Sequence, residues 1–118
     1  MPYETIRDEG ESEMKFKDRV NGYAHLKIIL KPIKELLLRI VVEVNSEDCP
    51  EEFLLAAAEG MRETGATGVV KGYPVLGIEI VISKARYHER DSTVTSFHYG
   101  GKHIFRHFLL ENKIVVID

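Results

Sequence analysis

The sequence predicts a two-layer α+β sandwich in which two amphipathic helices pack on one face of a small sheet. Three observations lead there. Apolar and polar residues alternate along 23–31, 36–44 and 75–83, the period of half-buried strands. Apolar residues recur three and four apart in two longer stretches, 50–64 and 91–108. The resulting order, β-β-β-α-β-α-β, contains no internal repeat, low-complexity tract or domain-sized linker, so residues 1–118 read as one domain.

Tyr3 to Arg7 is a short strand, and the acidic, glycine-containing stretch Asp8 to Glu13 reads as a mobile loop. Ala24, Leu26, Ile28 and Leu30 form one face of a strand that Pro32 ends. After Ile33-Lys34-Glu35, a second strand places Leu38, Ile40, Val42 and Val44 on one face, and the two strands read as an antiparallel hairpin. Pro50 occupies the first position of a helix, with Glu51 and Glu52 at the positive end of its dipole. Phe53, Ala57, Gly60, Met61 and Thr64 form its buried stripe and Gly65 its stop; Gly60 is expected to admit the close approach of a strand. Ile78, Ile80 and Ile82 share one face of the next strand. Asp91 and Ser92 are candidate caps of a second helix whose stripe is Val94, Phe97, Gly101, Ile104 or Phe105, and Phe108. Lys113 to Ile117 returns to strand.

Composition narrows the function classes. A single cysteine, Cys49, forms no internal bridge, which leaves a reducing, cytoplasmic compartment as the expectation. The longest apolar runs are interrupted by Arg39, Glu43 and Glu79 and fall far short of the ~20 residues of a membrane span, and the start carries no secretory pattern. Neither G-x-x-x-x-G-K-[ST] nor G-x-G-x-x-G occurs, and no nucleophile or acid/base constellation is visible, so the reading is non-enzymatic and without cofactor. His103 and His107 have a helical metal-ligand spacing, but two ligands make no site and no metal is assigned.

The net charge of −3 hides a division. Residues 15–39 hold seven basic side chains against two acidic ones, and residues 84–107 hold five against two, with four histidines beside them. Residues 43–63 reverse the sign, with seven acidic side chains against Arg62 alone. Two basic segments flank an acidic one, so the chain is electrically divided and the net charge alone does not describe its partners.

Val70-Lys71-Gly72-Tyr73-Pro74-Val75, then a strand, then Tyr87-His88-Glu89-Arg90-Asp91-Ser92, then a helix, closely resembles domain IV of translation elongation factor G and of the tetracycline-resistance ribosomal protection proteins. There a Gly-Tyr-Pro-Val turn precedes a strand and a Tyr-His-x-x-Asp-Ser loop precedes a helix. Further matches follow in order: Pro2-Tyr3-Glu4-Thr5-Ile6 at the start, Gly22-Tyr23-Ala24-His25-Leu26 in a strand, and Cys49-Pro50-Glu51-Glu52-Phe53 at a helix start. Lys113 to Asp118 falls where the family passes into its next domain.

The resemblance implies a four-stranded sheet with both helices on one face and a left-handed β-α-β crossover, the ribosomal-protein domain 2-like superfold, although right-handed crossovers are the norm. It also implies a tip of two loops that contacts tRNA, messenger RNA and ribosomal RNA on the small ribosomal subunit. Those loops map to Lys15–Gly22 and Lys84–Asp91, the two basic segments. Lys15, Lys17, Arg19, Asn21, Lys84, Arg86, Tyr87, His88 and Arg90 are thus the expected RNA-contacting residues, while Gly72, Tyr73, Pro74, Asp91 and Ser92 carry the structural motifs. The first loop lacks the family's glycine richness, and the GTPase of the factor is absent, which makes a separately encoded translational GTPase a candidate partner. The alternative is a protein-interaction or assembly module that kept the fold without the RNA role.

Overall fold

In a computed structural model, which describes residues 1–20, 22–112 and 114–118, the elements are β1 (Tyr3–Thr5), β2 (Gly10–Asp18), β3 (Gly22–Pro32), β4 (Leu38–Val42), α1 (Glu51–Thr67), β5 (Ile78–Arg86), α2 (Val94–Glu111) and β6 (Val115–Ile117). The main sheet has the order β2-β3-β5-β4, and β1 pairs with β6 in a separate two-stranded ribbon. Ala24, Leu26, Ile28 and Leu30 of β3 and Ile78, Ile80 and Ile82 of β5 point to one face and are almost wholly buried beneath α1 and α2, so the two-layer α+β sandwich is as the alternation predicts.

Partners within the sheet differ from the sequence expectation. β3 and β4 do not form a hairpin. β5 lies between them, antiparallel to β3 and parallel to β4, so that Leu38, Ile40 and Val42 register with Ile78, Ile80 and Ile82. Residues 33–37 carry the chain across the start of β5: Ile33 N–H donates to Gly77 O at 2.9 Å, and Gly77 N–H donates to Leu37 O at 2.9 Å. Alternation fixes which face a strand buries but not its neighbour. β3 and β5, the strands with the most completely buried faces, take the two interior positions and have a ladder on each side. The parallel pair β4 and β5 is joined through α1 as a β-α-β unit.

The stretch expected as a mobile loop, Asp8 to Glu13, mostly joins β2, whose nine residues pair with β3 from Gly10↔Leu30 to Asp18↔Gly22. Its alternation is written in half-buried Ser12, Met14 and Phe16 against exposed Glu11, Glu13 and Lys15, too weak a contrast to read among acidic residues. Lys113 lies outside the described residues, and β6 starts at Val115.

The helices meet through glycine. A Cβ on Gly60 would lie 2.1 Å from the carbonyl oxygen of His98 in α2, and one on Gly101 would lie 2.1 Å from the carbonyl oxygen of Ala57 in α1. Gly60 therefore admits a helix, where the sequence had implied a strand. Gly100 faces the sheet instead, with its Cβ position 3.0 Å from Ala24 Cβ, so α2 packs closely on both α1 and the sheet. α1 continues past buried Gly65 and stops at Gly68, whose φ of 65° only glycine adopts freely. Thr93, not Asp91 or Ser92, caps α2: its hydroxyl accepts the Ser96 N–H while Ser96 Oγ accepts the Thr93 N–H. Val94, expected in the buried stripe, stands exposed on the first turn.

Glu4 is fully buried without a cationic partner among the described residues. Its Oε1 accepts the N–H groups of Val69 and Val70 at 2.8 and 3.2 Å, and its Oε2 those of Lys71 and Tyr73 at 2.9 and 3.3 Å. The Gly72-Tyr73-Pro74 turn is thus wrapped around a carboxylate, and Glu4 N–H donates to Pro74 O at 2.9 Å. Burial pushes this carboxyl's pKa up, but the four amide bonds outweigh that and hold it below the usual glutamate value.

Two stability predictions result. Gly101→Ala loses about 2 kcal/mol, because strain against the Ala57 carbonyl exceeds the ~1 kcal/mol that alanine gains in an ordinary helix interior; a urea midpoint at or above that of the parent would refute this packing. Glu4→Gln loses about 3 kcal/mol at neutral pH, since the amide turns a donor towards backbone N–H groups. A folded pKa held below the unfolded one contributes stability above the unfolded value, about 4.3, and loses it as pH falls through the folded pKa. Thermal melts of parent and Glu4→Gln should therefore converge in acid; a gap independent of pH would exclude the charged carboxylate as its cause.

Candidate nucleic-acid interface

The β2–β3 hairpin and the β5–α2 loop are fastened together at one end of the sheet. The hairpin turns after Asp18, whose Oδ1 accepts the Val20 N–H at 2.7 Å. Gly22 follows with φ 96°, and a Cβ there would fall 2.0 Å from Asp91 O, so only glycine lets the second loop lie against the hairpin. Tyr23 N–H then donates to that Asp91 O at 3.0 Å. On its other side, Tyr23 O lies 2.8 Å from each of the hydroxyls of Ser92 and Ser96. Ser92 Oγ also accepts the His88 N–H at 2.8 Å, and Ser92 N–H donates to His88 O at the same distance, closing the Tyr87–Ser92 loop on itself. Ser92 is therefore the clasp of the loop and Asp91 supplies a backbone acceptor.

These bonds create a cleft of about 440 Å³ lined by both loops, with Lys17, Arg19 and Arg90 as its cations, Asp18 and Asp91 as its carboxylates and Tyr23 beside them. His88 is exposed at the rim: its Nδ1 accepts the Arg90 N–H at 3.3 Å and lies 3.6 Å from Asp91 Oδ2, and its ring stands edge-on to Tyr23 at 6.5 Å. Three cations from the β2–β3 hairpin and the β5–α2 loop, an aromatic ring and an imidazole are groups able to neutralise phosphates and to stack on or hydrogen-bond to unpaired bases.

Of the residues expected there, Lys15, Lys84 and Arg86 lie elsewhere. Lys15 is within β2, while Lys84 and Arg86 are within β5 rather than in loops. A bulge puts the two β5 cations on the face away from the helices. Ile82 pairs with Ile28 but Lys84 with Lys27, so Ser83 is the extra residue and its hydroxyl donates to Lys27 O at 3.3 Å. Alternation through the bulge turns Lys84 and Arg86 outwards and buries Ala85. Tyr87 packs edge-on against Phe53 of α1 at 6.0 Å. Asn21 lies outside the described residues. His103 stacks on Phe16 at 5.0 Å, which gives it a packing partner across the β2–α2 contact. Burial pushes the Cys49 thiol up to about 11, leaving it protonated and inert at neutral pH.

Residues that pattern reading missed are Gly22, Ser96 and Glu4. Thr93-Val94-Thr95-Ser96 carries a capping-box signal that could have revealed Ser96; no local signal reveals Glu4, whose partners are more than sixty residues away.

Residues 1–113 match the family described as Elongation factor G, domain IV. The chain belongs to this family. A crystal structure of a protein from Thermus thermophilus superposes on this domain IV with a TM-score of 0.76 and 25% sequence identity, covering 98% of this chain and 18% of the other. The present chain thus spans less than a fifth of that relative's length. The cleft of this domain IV lies where the two motif loops meet, and no described helix is long and apolar enough to cross a membrane.

Ser92→Ala removes one hydroxyl that both receives the His88 N–H and reaches Tyr23 O. It should cost about 1–2 kcal/mol in global stability and speed amide exchange at His88. Unchanged exchange there would show that the loop is held by something else.

Proposed function

We propose that this domain IV binds structured RNA, in the first instance that of the small ribosomal subunit, through the tip cleft, and that it catalyses no reaction. The observation that carries this reading is the convergence of Lys17 at the end of β2, Arg19 in the hairpin turn and Arg90 in the β5–α2 loop on one cleft beside Tyr23. Phosphates supply most of the affinity at such a site, and ring stacking supplies preference for irregular or single-stranded segments. Family membership supports the ribosomal partner. The proposed setting is the cytoplasm, with a separately encoded translational GTPase as a second partner, no cofactor, and residues 1–118 acting as one domain.

Filter binding of purified small subunits across a salt series tests it. The parent should bind at low salt, and Arg19→Ala with Arg90→Ala should weaken binding about tenfold and reduce the slope of log K against log salt by roughly 1.4–1.8, near 0.7–0.9 for each phosphate no longer neutralised. Absence of parent binding at low salt, or an unchanged slope in the double variant, would sink the proposal.

The alternative, a protein-docking module, has one observation in its favour. β4 is an edge strand, and exposed Val42 and Leu55 line a cleft of about 340 Å³ with Val44 and Leu54. Recovery of a stable protein partner together with failure of RNA binding would favour that reading.

A further inference from the structure

The sheet face not covered by the helices is charged unevenly along its length. At the end far from the tip its charges are consumed by ion pairs: Glu79 lies 3.4 Å from Lys31 and 3.3 Å from Arg39, and Arg39 also reaches Glu35 at 3.5 Å. At the tip end the register sets cations in successive ranks. Lys17 stands beside Tyr23, Lys15 and Arg86 flank His25, and Lys27 pairs with Lys84. Ranks on one face of a strand are roughly 7 Å apart and neighbouring strands about 4.8 Å apart, so these five cations share one continuous area. The opposing carboxylate within it is Glu13, hydrogen-bonded to His25 Nε2 at 2.7 Å. Glu11, 4.0 Å from Lys27, borders the area on β2, and Glu43 and Asp48 border it beyond β5. Lys15, Lys17, Lys84 and Arg86 have no ion-pair partner among the described residues and are exposed.

We infer that the tip half of this open sheet face is a second RNA-contacting surface, which grips the phosphate backbone of the same RNA that enters the tip cleft. The inference rests on the RNA reading above. Charge complementarity selects the occupant: five cations against one internal carboxylate on a sheet surface fit a polyanionic backbone, and such contacts position an RNA without reading its sequence. Continuity supports a shared ligand, because Lys17 and Tyr23 both line the tip cleft and begin the ranks. The Ser83 bulge is what delivers Lys84 and Arg86 to this face; unbroken alternation from Ile82 would turn both towards the helices.

The test measures binding of the full chain to small ribosomal subunits and to a short RNA hairpin, over a potassium chloride series, with three proteins: the parent, the tip double variant, and a face variant combining Lys15→Ala, Lys84→Ala and Arg86→Ala. The face variant should keep the parent's melting temperature, bind about tenfold more weakly at low salt, and lose roughly 2–3 from the log–log salt slope, with Lys84→Arg alone retaining parent behaviour. A face variant with unchanged slope, beside a tip variant that is weakened, overturns this inference and leaves the tip cleft as the binding site. A tip variant that binds normally beside a weakened face variant overturns the tip reading and keeps the face. Parent protein that binds neither RNA overturns both. Polyglutamate that displaces the hairpin at equal charge overturns the assignment to RNA in favour of an acidic protein.

Discussion

Ile78, Ile80 and Ile82 are completely buried, and the strand that carries them takes a ladder on each side, antiparallel to β3 and parallel to β4. Each isoleucine contributes about 1.5–3 kcal/mol on burial, and all three lie beneath the helices in the middle of the sheet. The rest of the architecture follows from it. The connection after β3 must cross the start of β5, α1 must run between two parallel neighbours, and β5 must end beside the start of β3. That last consequence brings the β5–α2 loop against the β2–β3 hairpin.

What holds the two loops there is short-range and polar. Tyr23 uses its N–H on Asp91 and offers its carbonyl to two serine hydroxyls, and Gly22 leaves the space in which Asp91 sits. A cleft built this way has a floor fixed by backbone bonds beneath long Arg and Lys side chains. At the other end of the core, Glu4 uses one carboxylate to accept four backbone N–H groups of the loop, from Val69, Val70, Lys71 and Tyr73, satisfying amides that no strand or helix reaches. Helix packing through Gly60 and Gly101 sets the thickness of the second layer.

The charge division read from the sequence acquires a geometry. Four of the acidic residues of 43–63 lie on α1, while of the two basic segments Lys15, Lys17, Arg19, Lys27, Lys84, Arg86 and Arg90 gather at the tip and the adjoining half of the open sheet face, and Lys102 and Arg106 lie on α2. The unpaired cations of the open sheet face thus cluster at its tip end, while Glu79 and its ion pairs occupy the far end. A net charge of −3 describes the sum and conceals that arrangement.

By itself the sequence determined the α+β class, both helices, the inward faces of β3, β4 and β5, and the family, because periodicity and contiguous motifs are local properties of the chain. It also placed two basic segments at one end through its resemblance to domain IV. Only the tertiary structure decided strand order, since alternation carries no information about neighbours. The same holds for the destination of Lys15, Lys84 and Arg86: a one-residue bulge at Ser83 and an extra strand at Gly10–Asp18 decide which way those side chains face. Glu4 was legible as part of a motif but not as a buried anion, because its four donors come from a loop that folding alone brings within reach.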